Sequence, residues 1–556
     1  MLSSYPVPSC AVSVPGGMVV AVPLELLASP LKNGRPLGGG DRSALVIGGT
    51  ERVRTGGTVV FCKVVAVAEA QVKRDGQVRA KGSPVHHATL GPLEERLESE
   101  AGPGVIGRVA AGARLDGRFA KGERERLLAA AFMIRVIVLM TLMPGARIED
   151  VIIALAGDLA LVPWARPWRP ASARAAGDWR NALGAAPLEE LRDLVLGSAW
   201  REHRDRACPG AVTIGRSRPL TAGSLDGTLV RMPDTPANRA VFGTVGTGDD
   251  SGPWPCARAL PLTCCSCRSL LAMPHGPAGG EKAAAEQALL DQAMDRFPTL
   301  FTPGWIWLMD RNYHGAPRIA RMIQATHVLI RLKSDIPLRR TSPILPDGSY
   351  RAELSGDGVT VRVRVIEYFI GVEGQEVPEM FCLVTDLMDD EEYPAPELAA
   401  LYKWRWDGSE TALREAKAPL RGAGTGTGPM LRSGSPDLVA QEIAAWAAAV
   451  ELTRGVARDA ALAAAPAQKG RRAGLTVRPR DLSHARAIRA VLSAIRLGNA
   501  CYQAVTGEIG RYRNIVDRDR HRARKSKSPS SFTHATAKDT ATRIAPAVIT
   551  MANTPA

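Results

Sequence analysis

The stretch Leu401-Tyr-Lys-Trp-Arg-Trp-Asp-Gly-Ser-Glu-Thr-Ala-Leu-Arg-Glu-Ala-Lys417 decides how the rest of the chain is read. It is helix-prone and gathers Tyr402, Arg405, Glu410, Arg414 and Lys417 into one short segment. Arg414 lies four positions after Glu410 and Lys417 seven, so the three share one helical face. Arginine suits bidentate contact with phosphate and lysine a point-charge contact. Glu410 alone reads as an ordinary surface acid in a salt-bridged helix face.

Two further acids change that reading. Asp226 stands in Ser224-Leu-Asp-Gly-Thr228, where the simplest alternative is an Asp-Gly hairpin turn. Asp310 follows the apolar run Trp305-Ile-Trp-Leu-Met309 and precedes Arg311; its alternative is a cap or a surface ion pair. Carboxylates that converge in space, wherever they lie in sequence, hold hard divalent cations such as Mg²⁺, with Mn²⁺ able to substitute. Two such ions about 4 Å apart catalyse phosphodiester cleavage. Asp407 and Glu415 are further candidates for the third acid.

Composition agrees with a polyanionic partner. The chain has 556 residues and a formal net charge of +15, with an isoelectric point near 9.6. That length accommodates two or three domains. The longest apolar run, Leu127 to Met143, contains Arg135 and ends at Pro144-Gly145. It falls short of the roughly 20 residues a membrane helix needs, so a soluble, cytoplasmic protein is expected. Nine cysteines form no framework. Cys264 and Cys267 make one C-x-x-C pair, but no second Cys or His pair follows at zinc spacing, so buried, reduced cysteines are expected.

The texture changes along the chain. Residues 1–95 are rich in Gly, Pro and Val, with strand-like runs such as Thr58–Val65, and are left as a poorly assigned extension. Residues 96–215 read as a helical domain, in which Pro163–Pro170 is a Trp- and Pro-rich loop. Residues 216–342 alternate strand, helix and strand, as an α/β core does. Residues 343–390 read as β-hairpins, with period-two alternation over Val359–Tyr368. Residues 391–465 return to helix. Residues 466–556 carry the basic runs Lys469–Arg472 and Arg518–Lys527 and read as a basic, partly disordered tail.

Taken in order, these motifs resemble those of DDE transposases of bacterial insertion sequences, in the branch that includes insertion sequence four. That branch carries the signature Y-x-x-R-x-x-x-E-x-x-x-x-x-x-K, which Tyr402, Arg405, Glu410 and Lys417 follow with one departure. Leu225-Asp-Gly-Thr228, Pro233–Asn238, Met309–Tyr313, Leu345–Tyr350 and Leu431–Pro436 also look familial. The resemblance covers roughly residues 105–500.

It implies an α/β fold with a ribonuclease-H-like catalytic core, a β-rich insertion between the second Asp and the Glu, and a helical N-terminal DNA-binding domain. Asp226, Asp310 and Glu410 would be the catalytic, Mg²⁺-holding acids, with Tyr402, Arg405, Arg414, Lys417 and Arg311 on DNA phosphates. The implied partners are double-stranded DNA, as terminal inverted repeats and target, and a second copy of the chain; the implied location is the bacterial nucleoid. A structure-specific nuclease and a degenerate, non-catalytic DNA-binding protein are the alternatives.

The departure is one extra residue. Four residues, Trp406-Asp-Gly-Ser409, separate Arg405 from Glu410 where the signature has three. On a regular helix one residue turns all that follows by roughly 100°. A break or a π-type bulge at Asp407-Gly408-Ser409 is therefore expected.

Overall fold

The computed structural model describes residues 9–14, 18–23, 50–55 and 58–63. It then describes 88–113, 130–156, 171–205, 208, 211–245, 252–279, 282–333, 335–371, 379–420, 430–465, 476–497, 501–513 and 548–553. The loop at 163–170 and the basic runs at 469–472 and 518–527 lie outside these residues. The chain divides into two units, 1–80 and 81–556.

In the first unit β1 (Ser9–Val14) pairs antiparallel with β2 (Met18–Pro23), and β3 (Thr50–Thr55) with β4 (Thr58–Lys63). The second unit opens with six helices: α1 (Pro92–Ala101), α2 (Val105–Gly112), α3 (Ala130–Leu142), α4 (Ile148–Ala156), α5 (Ala173–Leu183) and α6 (Ala186–Asp205). Short strands follow: β5 (Thr213–Ile214), β6 (Leu220–Leu225) and β7 (Thr228–Arg231), then α7 (Pro236–Phe242). Next come β8 (Cys256–Ala259), β9 (Leu262–Cys264), β10 (Leu270–Ala272) and β11 (His275–Pro277), before α8 (Lys282–Arg296). β12 (Trp305–Met309), α9 (Ala316–Met322) and β13 (His327–Arg331) form a parallel crossover unit.

The site depends on one sheet. Its order begins β10-β9-β6-β12-β13, with β6, β12 and β13 parallel, β9 antiparallel to β6, and β10 antiparallel to β9. Numbered by their order along the chain (β6 as strand 1), this is 3-2-1-4-5. β12 is buried at every residue, which is why its sequence is continuously apolar rather than alternating. Asp226 and Asp310 follow the C-terminal ends of the adjacent parallel strands β6 and β12, where crevices form in such sheets.

Residues 343–390 supply β15 (Tyr350–Gly356), β16 (Val359–Gly371) and β17 (Glu379–Thr385) as antiparallel hairpins. They continue the same sheet, because β17 pairs with β13; β14 (Leu338–Arg340) lies at the far edge beside β15. The helical segment then runs α10 (Ala395–Tyr402), α11 (Trp404–Trp406), a π-helical turn at Asp407–Thr411, and α12 (Ala412–Lys417).

α13 (Pro436–Ala463) is the axis of the helical layer. Its buried residues occupy nearly every side, from Val439 to Ala461, and it packs against α1, α3 and α6. A helix apolar on all sides is stable only when surrounded. Part of what surrounds it is a correction to the sequence reading. Within residues 466–556, read as a tail, α14 (His484–Leu497) and α15 (Tyr502–Arg511) bury Ile488, Val491, Ile495, Val505 and Ile509. β18 (Val548–Met551) pairs with β16. The helical periodicity of 484–511 outweighs the basic charge that flanks it. Among the described residues no helix is long and apolar enough to cross a membrane.

Candidate active site

Asp226 is not in a hairpin. β6 belongs to the large sheet and β7 pairs instead with β8, so Asp226-Gly227 is where the chain changes sheets. Gly227 is required by a close approach: a Cβ there would meet Glu286 Oε1 at 2.1 Å. Glu286, on α8, is fully buried and pairs with Arg258 at 3.1 Å.

Asp310 caps the short turn Arg311–Tyr313, its Oδ1 accepting from the Asn312 N–H at 2.8 Å. The capping alternative therefore holds for this carboxylate. Asn312 Nδ2 in turn donates to Glu286 Oε2 at 3.2 Å, which ties the Asp310 turn to the acid behind Asp226.

The extra residue before Glu410 is absorbed in the way the spacing requires. Asp407–Thr411 is a π-helical turn, in which hydrogen bonds span five residues rather than four. Glu410, fifth after Arg405, therefore lands about where the fourth residue of an α-helix would. Thr263 Oγ1 of β9 donates to Gly408 O at 2.6 Å, pinning the turn to the sheet. A Cβ on Gly408 would meet Ser224 Oγ at 2.4 Å and Cys265 Sγ at 2.8 Å, so only glycine lets the turn sit this close.

Arg405 Nη1 lies 3.3 Å from Asp226 Oδ2, and the charges of Asp310 and Glu410 also act on both groups. Burial pushes the Asp226 carboxyl up to about 6; Arg405 opposes this, and Asp310, Glu410 and Glu286 add to it. Arg405 is held above the usual arginine range, its own burial being outweighed by Tyr402, Asp226, Asp310 and Glu410. Asp226 is buried whereas Glu410 is exposed, so the cluster runs from the sheet edge to the surface.

The remaining predicted residues divide. Tyr402 is buried and its hydroxyl donates to Met309 O at 3.0 Å, so it holds the strand end that carries Asp310. Burial pushes its phenol up to about 12. Arg311 and Arg414 are exposed and Lys417 is half-buried. Asp407 and Glu415 each pair with Arg268 at 2.7 Å, which leaves Glu410 as the acid of this helix grouped with Asp226 and Asp310. Sequence reasoning missed Glu286; its signal is an acid on the same helical face as Leu289, Leu290 and Ala293.

Comparisons with known proteins give little. No family model matches the chain, and no curated protein matches it. Among solved structures it is similar to the piggyBac transposase in its synaptic complex with hairpin DNA, at 10% identity and a TM-score of 0.36. That match covers 79% of this chain and 87% of the other.

Proposed function

We propose that this protein is a DDE transposase of the insertion-sequence-four type, cutting DNA at the ends of an insertion sequence and joining them to target DNA. The observation that carries this is the grouping of Asp226, Asp310 and Glu410 about Arg405, delivered by two adjacent parallel strand ends and a π-turn. The 3-2-1-4-5 strand order supports a ribonuclease-H-like core.

The donor set suits Mg²⁺ or Mn²⁺: all three side chains offer hard oxygen atoms. Asp226 is raised first by its burial and further by Asp310, Glu410 and Glu286, and a cation beside it would stabilise the charged carboxylate. Asp226, Asp310 and Glu410 would hold the metal, which when bound activates the attacking oxygen and stabilises the leaving one. In the first step a water oxygen bonds to phosphorus, the P–O3′ bond breaks and a 3′-hydroxyl is freed. In the second step that 3′-oxygen attacks a target phosphodiester and displaces its 3′-oxygen.

The chain's own residues position these reactions. Arg405 pairs with Asp226 from within the cluster and would contact backbone phosphate. Arg311, Arg414 and Lys417 lie on the outer side and contact backbone phosphates. Tyr402 acts by fixing Met309, and through it Asp310, rather than by exposing its hydroxyl. The helices before β5 bind the terminal repeats, and pairing of two ends requires two copies of the chain.

Incubation with Mg²⁺, a duplex carrying the repeats that flank its gene, and a supercoiled target plasmid tests this. Joined product is expected. Cleavage without joining would establish the nuclease instead, and DNA binding without cleavage under Mg²⁺ or Mn²⁺ would establish the non-catalytic alternative.

A further inference from the structure

A second constellation stands apart from the carboxylates. His203, Cys208, Cys264 and Cys267 bring one ligand atom each to within 4.8 Å of all the others. His203 is in the last turn of α6, and Cys208 follows shortly after that helix. Cys264 ends β9 and Cys267 lies in the turn to β10. No Cys or His pair follows the C-x-x-C, as the sequence indicates; the His and the Cys that approach it precede it in the chain.

The turn after Cys264 closes through Arg268 N–H donating to Cys264 O at 2.8 Å, and Cys264 N–H to Ser269 O at 3.0 Å. It needs a left-handed residue directly after the second cysteine, and Arg268 has φ 65°. An L-residue loses roughly 1 kcal/mol or more in that conformation, and the ion pairs of Arg268 with Asp407 and Glu415 help to hold it.

His203 Nδ1 lies 2.6 Å from Ala199 O. A carbonyl only accepts, so Nδ1 carries the proton and Nε2 faces the sulfurs, 2.9 Å from Cys267 Sγ. That is how a metal-ligating histidine is oriented by its backbone partner. Cys267 Sγ also lies 3.1 Å from Ser269 Oγ, which accepts from the buried Arg458. Cys264, Cys267 and His203 are buried and Cys208 is half-buried.

We propose that His203, Cys208, Cys264 and Cys267 bind one structural Zn²⁺ through one nitrogen and three thiolates. Bonds of about 2.3 Å to sulfur and 2.0 Å to nitrogen in a tetrahedron separate the ligand atoms by roughly 3.5–4 Å, which fits this cluster after a small opening of the His203–Cys267 gap. Soft thiolate donors exclude Mg²⁺ and Ca²⁺. The ion would staple the end of α6 to the β9–β10 hairpin. From there Arg268 reaches Asp407 and Glu415, on either side of Glu410, and β9 flanks the strand that leads to Asp226.

The test is the metal content of the full chain, purified reduced and without immobilised-metal resin. Elemental analysis should find one zinc per chain, and Asp226→Asn should retain it, because this site is independent of the proposed catalysis. His203→Ala and the double variant Cys264→Ser/Cys267→Ser should lose it.

Should those variants fail to fold, the wild type decides alone. Mercurial titration of its thiols should release one zinc, and Co²⁺ exchange should give the intense absorption of a tetrahedral thiolate site. Wild-type protein that holds no zinc after incubation with equimolar Zn²⁺ would overturn the proposal. So would one zinc retained by the double variant, or a Cys264–Cys267 disulfide in freshly reduced protein.

Discussion

At the scale of single residues, the site is set by close approaches that permit no substitution. Gly227→Ala would drive a methyl group into Glu286, a buried acid that cannot retreat without abandoning Arg258. A loss of about 1–3 kcal/mol in unfolding free energy is expected, measurable by urea denaturation, together with weakened metal binding. Tyr402→Phe is the milder counterpart. It removes one buried hydrogen bond to Met309 O, costing about 1 kcal/mol, and should lower cleavage without changing its salt dependence. A steeper or shallower salt slope would instead give the hydroxyl a direct phosphate contact.

Asp310 was legible as an acid after an apolar run because the end of a buried strand projects it from the sheet, whereas Asp226 stood in Leu-Asp-Gly-Thr, which also reads as a hairpin turn. Glu286 was not, since a helix acid announces its partner only when the strands in front of it are known. The signature also pointed Tyr402 at phosphate, whereas its burial turns the hydroxyl inward.

At the scale of elements, the π-turn is the decisive piece. The count of residues between Arg405 and Glu410, set against the signature the segment resembles, was enough to expect a distortion, because a helix cannot gain one residue and keep both side chains on one face. What the count could not reveal was how the distortion is held. Gly408 nestles against Ser224 and Cys265, Thr263 binds its carbonyl, and Arg268 clamps Asp407 and Glu415. Gly408→Ala should therefore push the turn off the sheet, cost about 1–3 kcal/mol, and reduce cleavage more than it reduces DNA affinity.

Arg268→Ala strands two partly buried acids, and a loss of about 3 kcal/mol or more is expected in thermal or urea unfolding. The zinc-type cluster went unseen for a related reason. Its four ligands come from a helix end, the loop after it and a distant hairpin, and spacing rules that look only downstream of a C-x-x-C miss a pair that precedes it.

At the scale of the whole molecule, the second unit combines a sheet that positions acids with a helical layer organised by α13. The α/β core and the hairpins were legible from periodicity. The role of α14 and α15 was not, because their basic flanks suggested a tail while their apolar faces complete the burial of α13.

This layer also makes stability depend on pH. Burial holds His484 down to about 3, and the nearby charges of Arg454 and Arg268 add to the effect. The native imidazole stays neutral while the unfolded one, near 6.5, takes up a proton. Its contribution is therefore complete above pH 6.5 and is lost as pH falls toward 3. The thermal midpoint should drop between pH 6.5 and 4, by an amount reflecting a few kcal/mol, and His484→Leu should flatten that part of the profile.

The central claim is that one site built from Asp226, Asp310 and Glu410 cuts DNA. Cleavage of the terminal-repeat duplex should be measured in Mg²⁺ for the wild type and for Asp226→Asn, Asp310→Asn and Glu410→Gln, each shown folded by its unfolding transition. Each variant should lose at least about a hundredfold in rate, since even outer-shell changes at metal sites cost 10–100-fold, while DNA binding in the absence of metal persists. Wild-type rates in any one of the three would remove that residue from the site, and wild-type rates in all three would contradict the account.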